Sequence, residues 1–86
     1  MIPKNITREH ILKAMAEIDI NGVPRHRHST RYAVLHEGRA YPPKYVVSLA
    51  NRYANGEELP AMQFNGGVET NGFLASHEFD IRRRSV

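Results

Sequence analysis

The sequence predicts a small single α+β domain in the order α-β-β-α-α-β, with three helices and a small antiparallel sheet. Three observations carry that prediction. Two segments, Thr7 to Gly22 and Pro42 to Gly56, repeat apolar residues at helical spacing between their own start and stop residues. Two short runs alternate around Glu37-Gly38, and a third alternates from Glu78 to Arg84, as strands with one buried face do. No linker, internal repeat or low-complexity tract divides the 86 residues, so 1–86 is expected to be one domain.

The first helix is expected to start at Thr7, which can cap the following amides while Ile6 packs against Ile11 as a hydrophobic staple. Ile11, Leu12, Met15 and Ile18 give its apolar face, and Lys13 and Glu17, four apart, are expected to pair on the polar side. Asn21-Gly22 ends it, followed by Pro24. The segment "VPRHRHSTR", Val23 to Arg31, has no apolar period and is a basic loop. "RYAVLHEGRAY" then predicts a hairpin, with Tyr32 and Val34 on one face, Ala33 and Leu35 on the other, and a short return strand from Arg39 to Tyr41.

Proline is favoured at the first helical position, so Pro42-Pro43 opens the second helix. Val46, Val47, Leu49, Ala50 and Tyr53 are its expected buried face, and Asn55-Gly56 its left-handed close. Within "EELPAMQFNGG" a helical turn is expected near Pro60 to Gln63, with Phe64 anchored in the core. Glu69 or Thr70 starts a third helix that contains Gly72 and packs through Phe73 and Leu74. In "EFDIRRR", Phe79 and Ile81 point inward and Asp80 and Arg82 outward, which suits a third strand beside the hairpin. Two consecutive helices backed by this sheet make a winged-helix-like layout, although layout alone does not assign function.

A composition of 41% hydrophobic and 24% charged residues is that of an ordinary globular chain and not of a disordered one. Cysteine is absent, which excludes disulfides, thiolate zinc sites and cysteine nucleophiles together. No apolar run reaches the roughly 18 residues of a membrane span, and "MIPKNITREH" lacks the apolar stretch of a signal peptide, so a cytoplasmic setting is expected. The formal charge of +3 is strongly segregated. Residues 21–56 hold Arg25, Arg27, Arg31, Arg39, Lys44 and Arg52 against Glu37 alone, whereas 57–80 hold five acidic residues and no lysine or arginine. Such segregation fits either a surface for a polyanion or a solvated basic face.

Lys44 is the sharpest local signal. It stands in the first turn of the second helix, beside the positive end of the helix dipole, which costs roughly 0.3–1 kcal/mol at a surface unless an anion is near. Together with the unpaired amides there, and with Arg39 and Tyr41 on the strand that feeds the helix, it describes an anion site, a nucleic-acid phosphate above all. The competing reading is a lysine stem laid over its neighbours with the ammonium in water. Tyr32, Tyr41, Tyr45 and Tyr53 lie among arginines; Tyr45 and Tyr53 are assigned to packing, and Tyr32 and Tyr41 suit packing or phosphate contact equally.

The candidate DNA-contact residues are therefore Arg25, Arg27, His28, Arg31, Arg39, Tyr41, Lys44 and Asn71. Asn71 can pair with a base edge or a phosphate, or act as a cap. Gly66-Gly67 can expose amides to phosphate or make a tight turn, and its spacing is not that of a P-loop. His26 and His28 lack further ligands nearby, so they are placed in the basic loop and no metal or cofactor is expected. His10, His36 and His77 are scattered surface or helix-end residues. Ser29, Ser48, Ser76 and Ser85 have no recognisable base partner, and no catalytic residues are expected.

Tyr41, Pro42, Pro43 and Lys44, then Ala54, Asn55 and Gly56, Gly66 and Gly67, Thr70 and Asn71, and Phe79 with Ile81 form a pattern. It resembles the N-terminal head domain of McrA-like, modification-dependent bacterial restriction endonucleases of the HNH type, over about residues 31–81. The resemblance implies a non-catalytic module that helps to engage double-stranded DNA while further domains of a larger nuclease recognise the modification and cut. This chain has no HNH motif of its own. The alternative is a protein-interaction or self-association domain that uses the acidic 57–80 segment against a basic surface.

Overall fold

The computed structural model describes residues 1–84, so Ser85 lies outside the described residues. Its elements follow the predicted order: α1 (Arg8–Asn21), β1 (Tyr32–His36), β2 (Arg39–Tyr41), α2 (Pro43–Asn55), α3 (Val68–Ser76) and β3 (Asp80–Arg83). Single 3-10 turns occur at Arg25–Arg27, inside the basic loop, and at Ala61–Gln63, where the helical turn was expected.

Thr7 caps α1 by accepting from the His10 amide, and the His10 ring accepts in return from the Thr7 amide at 2.9 Å. Histidine thus closes a capping box in which Glu or Gln is usual. Ile6 and Ile11 are both buried, as the staple requires. Pro42 stands before α2 with Pro43 as its first helical residue, and the Gly56 amide returns to the Arg52 carbonyl at 2.9 Å. Gly56 has φ 94°, a left-handed conformation that glycine adopts without steric cost. The core joins Ile11, Ala14, Met15 and Ile18 of α1 to Val46, Val47, Leu49 and Ala50 of α2, with Val34, Leu59, Phe64, Leu74 and Phe79 filling in from the other elements.

The three strands are antiparallel in the order β2-β1-β3. Glu37 and Gly38 both have positive φ, 50° and 80°, which is the geometry of a two-residue hairpin turn whose twist matches its strands. β3 pairs with β1 in the register Tyr32↔Arg83, Ala33↔Arg82, Val34↔Ile81 and Leu35↔Asp80. Phe79 is buried and Ile81 half-buried, whereas Asp80 and Arg82 are exposed, as the alternation predicts.

Three expectations change. Glu17 does not pair with Lys13; it accepts from the Arg52 guanidinium and from the Tyr53 hydroxyl at 2.8 Å, while Lys13 lies 3.8 Å from Glu9. A half-buried carboxylate at the α1–α2 contact is closer to cations on the facing helix than to its own solvated side. Tyr53 is 41% exposed instead of buried: full burial along α2 stops at Asn51, Ala54 covers the core from the last turn, and the Tyr53 hydroxyl reaches Glu17 at the surface. The third helix begins at Val68, earlier than Glu69 or Thr70, with the Glu69 carboxylate accepting from the Asn65 amide at 2.7 Å and the buried Thr70 hydroxyl donating to the Asn65 carbonyl at 2.6 Å. Those two bonds satisfy backbone groups of the preceding loop and set the start of α3.

Candidate functional site

The basic loop, the start of β1, the start of α2 and the Gly66-Gly67 turn converge on one groove of about 570 Å³. Its lining includes His26, Arg27, His28, Arg31, Tyr32 and Lys44, together with Ala61 and the two glycines. Among the described residues, no aspartate or glutamate lines it. Of the sequence-predicted residues, Arg27, His28 and Arg31 of the basic loop are thereby brought together with Lys44 of α2.

Each is held differently. Arg27 is half-buried; its guanidinium donates to Ser48 Oγ at 2.7 Å and lies 5.0 Å from the centre of the Tyr45 ring. Ser48 is fully buried on α2 and donates onward to the Leu59 carbonyl at 2.8 Å. One arginine therefore fastens the basic loop to the helix below it. Lys44 rests its ammonium 5.0 Å from the Phe64 ring centre, with its stem near Gly66, and Phe64 is itself a core anchor. A covered stem and a cation at the groove are thus compatible. Arg31 is exposed, and among the described residues neither it nor Lys44 has a carboxylate within ion-pair distance.

Glu69 is engaged nearby. The Asn65 amide bond holds its carboxyl below the usual carboxylate range, with smaller contributions from the chain's ammonium terminus and Lys44. Burial pushes the Tyr45 phenol up, aided by Glu58 and Glu17.

Arg39 and Tyr41 are not brought to this groove. They line a separate cavity of about 310 Å³ with Asp19, where Arg39 lies 3.0 Å from the carboxylate and the Tyr41 hydroxyl donates to it at 2.8 Å. Tyr41 is buried, and its phenol is pushed up to about 12 by burial first and then by the Asp19 carboxylate. Arg25 is exposed on the loop and does not line the groove. Asn71 lies in the first turn of α3, outside the groove lining, with a buried Oδ1 that has no protein partner among the described residues.

Tyr32 and Gly66-Gly67, which the sequence leaves open between phosphate contact and packing or a tight turn, also line the groove, whereas the sequence alone does not connect the C-terminal arginines to this end of the molecule. The available signal was strand pairing: once β3 lies against β1, Arg83 stands opposite Tyr32. Among the described residues, no group of three metal-ligating side chains occurs, and no helix is long and apolar enough to cross a membrane.

A family model described as the ScoMcrA-like, N-terminal head domain matches residues 4–83. The match extends beyond the 31–81 stretch of the resemblance to take in the first helix. No curated protein and no solved structure gives a match.

Proposed function

The chain belongs to the ScoMcrA-like N-terminal head domain family, and on that premise we propose that it is a non-catalytic module that grips the phosphate backbone of double-stranded DNA. The observation that carries this reading is the groove whose lining holds two arginines, a lysine and two imidazoles but no carboxylate among the described residues, with Arg31 and Lys44 lacking carboxylate partners there. Arg27 sets the loop in place, Arg31 and Lys44 contact phosphate oxygens, and His26 and His28 supply further donors. Contacts of this kind fix position on a duplex without reading sequence. The reaction itself, and recognition of any modified base, then belong to further domains of a larger nuclease.

Burial of Tyr41 against Asp19 and engagement of Arg39 by the same carboxylate favour a narrower contact set than the eight residues selected from sequence. The rival reading, docking through the acidic 57–80 segment, has fewer free charges to work with. Glu58 lies 4.0 Å from Arg52, Glu69 3.9 Å from the terminal ammonium, and Asp80 3.1 Å from Arg82.

The test is titration into a short duplex at several salt concentrations. Binding should weaken steeply as salt rises, and Lys44→Gln should weaken it about equally on all sequences while lowering the log–log salt slope by about 0.9. An unchanged slope in that variant removes Lys44 from the site, and absence of binding at low salt overturns the proposal.

A further inference from the structure

We propose that Arg31, Arg83 and Arg84 form a second phosphate-contact point at the end of the sheet, continuous with the groove. A bound backbone then runs from the start of α2 across to the β1–β3 pair. The inference rests on the phosphodiester reading of the groove and adds two residues that lie 52 and more positions from Arg31 in sequence.

Its basis is the ladder. The Arg84 amide donates to the Arg31 carbonyl at 2.7 Å, one step beyond the Tyr32↔Arg83 pair. Antiparallel strands alternate between pairs that exchange backbone hydrogen bonds and pairs that do not, and the side chains of the latter stand closer. Arg31 with Arg84 occupies the first kind of position, which puts Tyr32 with Arg83 in the second. Directly opposite residues share a face, so Arg83 stands beside Tyr32, a residue that lines the groove.

By the two-residue alternation Arg31 and Arg84 leave from the other face of the pair, so the arginines flank the end of the sheet from both sides. Arg31 itself lines the groove, and two like charges across the ladder disfavour pairing unless an anion lies near them. Arg31, Arg83 and Arg84 are all exposed, and among the described residues none has a carboxylate within ion-pair distance. Arg82, in the same run of three, is different. Its Nε lies 3.1 Å from both Asp80 carboxylate oxygens, and its cross-strand partner is the buried Ala33. The run thus splits into one internally neutralised arginine and two that remain available to an external anion. A planar guanidinium suits that anion, because it can offer a phosphate two parallel donors.

The experiment measures salt slopes on one duplex for the unmutated chain, Arg83→Gln, Arg83→Gln/Arg84→Gln, Arg82→Gln and Lys44→Gln. The double variant should lower the slope by about 1.8, at about 0.9 per lost phosphate contact, and Arg82→Gln should leave it unchanged. A double variant with the unmutated slope, alongside a flattened slope in Lys44→Gln, overturns this inference and leaves the groove standing. Equal losses in Arg82→Gln and in Arg83→Gln alone also overturn it, since net charge and not position would then explain them. Loss of salt-sensitive binding in the unmutated chain takes down the groove reading and this inference with it. Should the double variant fail to fold, amide shifts of the unmutated chain on adding duplex decide the matter. Arg83 and Arg84 amides should move and those near Glu57 should not; silent Arg83 and Arg84 amides count against the proposal.

Discussion

The Arg27 guanidinium donates to the buried hydroxyl of Ser48 at 2.7 Å, and this bond joins the basic loop to α2. Ser48→Ala removes both that acceptor and the donor to the Leu59 carbonyl. The expected cost is about 1–3 kcal/mol, since a charged donor and a buried carbonyl each lose a partner. For a domain of this size every 1 kcal/mol moves Tm by about 4–8 °C, so thermal unfolding is the readout, and an unchanged Tm removes the bond from the stability account.

Tyr41 gives the fold a dependence on alkaline pH. Its phenol is pushed up to about 12 by burial and by the Asp19 carboxylate, against an unfolded value of about 10. The folded state therefore favours the protonated phenol. This stability is fully present below about pH 10 and is lost as pH rises towards 12. Denaturant midpoints of the unmutated chain and Tyr41→Phe, compared from pH 9 to 12, should converge as pH rises; a constant difference across that range rules the linkage out.

Glu17 takes its partners from the second helix and not from its own. A double-mutant cycle with Glu17→Gln and Arg52→Gln should show a coupling of roughly 1 kcal/mol, whereas the same cycle with Lys13→Gln should show about none. Coupling to Lys13 instead would restore the pairing expected from spacing alone.

Arg39 separates position from charge. It lies 3.0 Å from Asp19 in the cavity away from the groove, with its side chain 65% exposed. Arg39→Gln should cost only about 0.2–1 kcal/mol of stability and leave the salt slope on duplex DNA unchanged. A slope reduced as far as in Lys44→Gln would extend the contact surface to that side.

Glu37 sits at φ 50° in the hairpin turn, where Asn is a preferred residue before Gly. Glu37→Asn should stabilise by about 0.5–1 kcal/mol, seen as a raised denaturant midpoint, because Asn tolerates the left-handed region better than a longer side chain. No gain in midpoint would show that the turn carries no such strain.

Much of the fold was legible because its signals are local. Thr7, Pro43 and Gly56 act within one helical turn, and the Glu37-Gly38 turn acts between adjacent residues. The lining of the groove was legible in part. Arg27, His28, Arg31 and Lys44 were selected on charge and do share the groove, whereas Arg39 and Tyr41 were placed there by proximity in sequence to Lys44 and turned out to face Asp19. Tyrosine identity could not separate these cases: Tyr41 is buried and Tyr53 is exposed, and the difference is where the core ends.

By itself the sequence determined the order of elements, their caps and the segregation of charge, because helical and strand periods, turn residues and charge runs are written along the chain. Tertiary structure alone decided which charges are neutralised and which are presented. Asp19 reaches Tyr41 and Arg39, Glu17 reaches Arg52, and Arg84 comes to lie across from Arg31 only when distant segments pack and the strands take one register. Coulomb attraction and hydrogen bonding act over a few ångströms of space, whatever the separation along the chain.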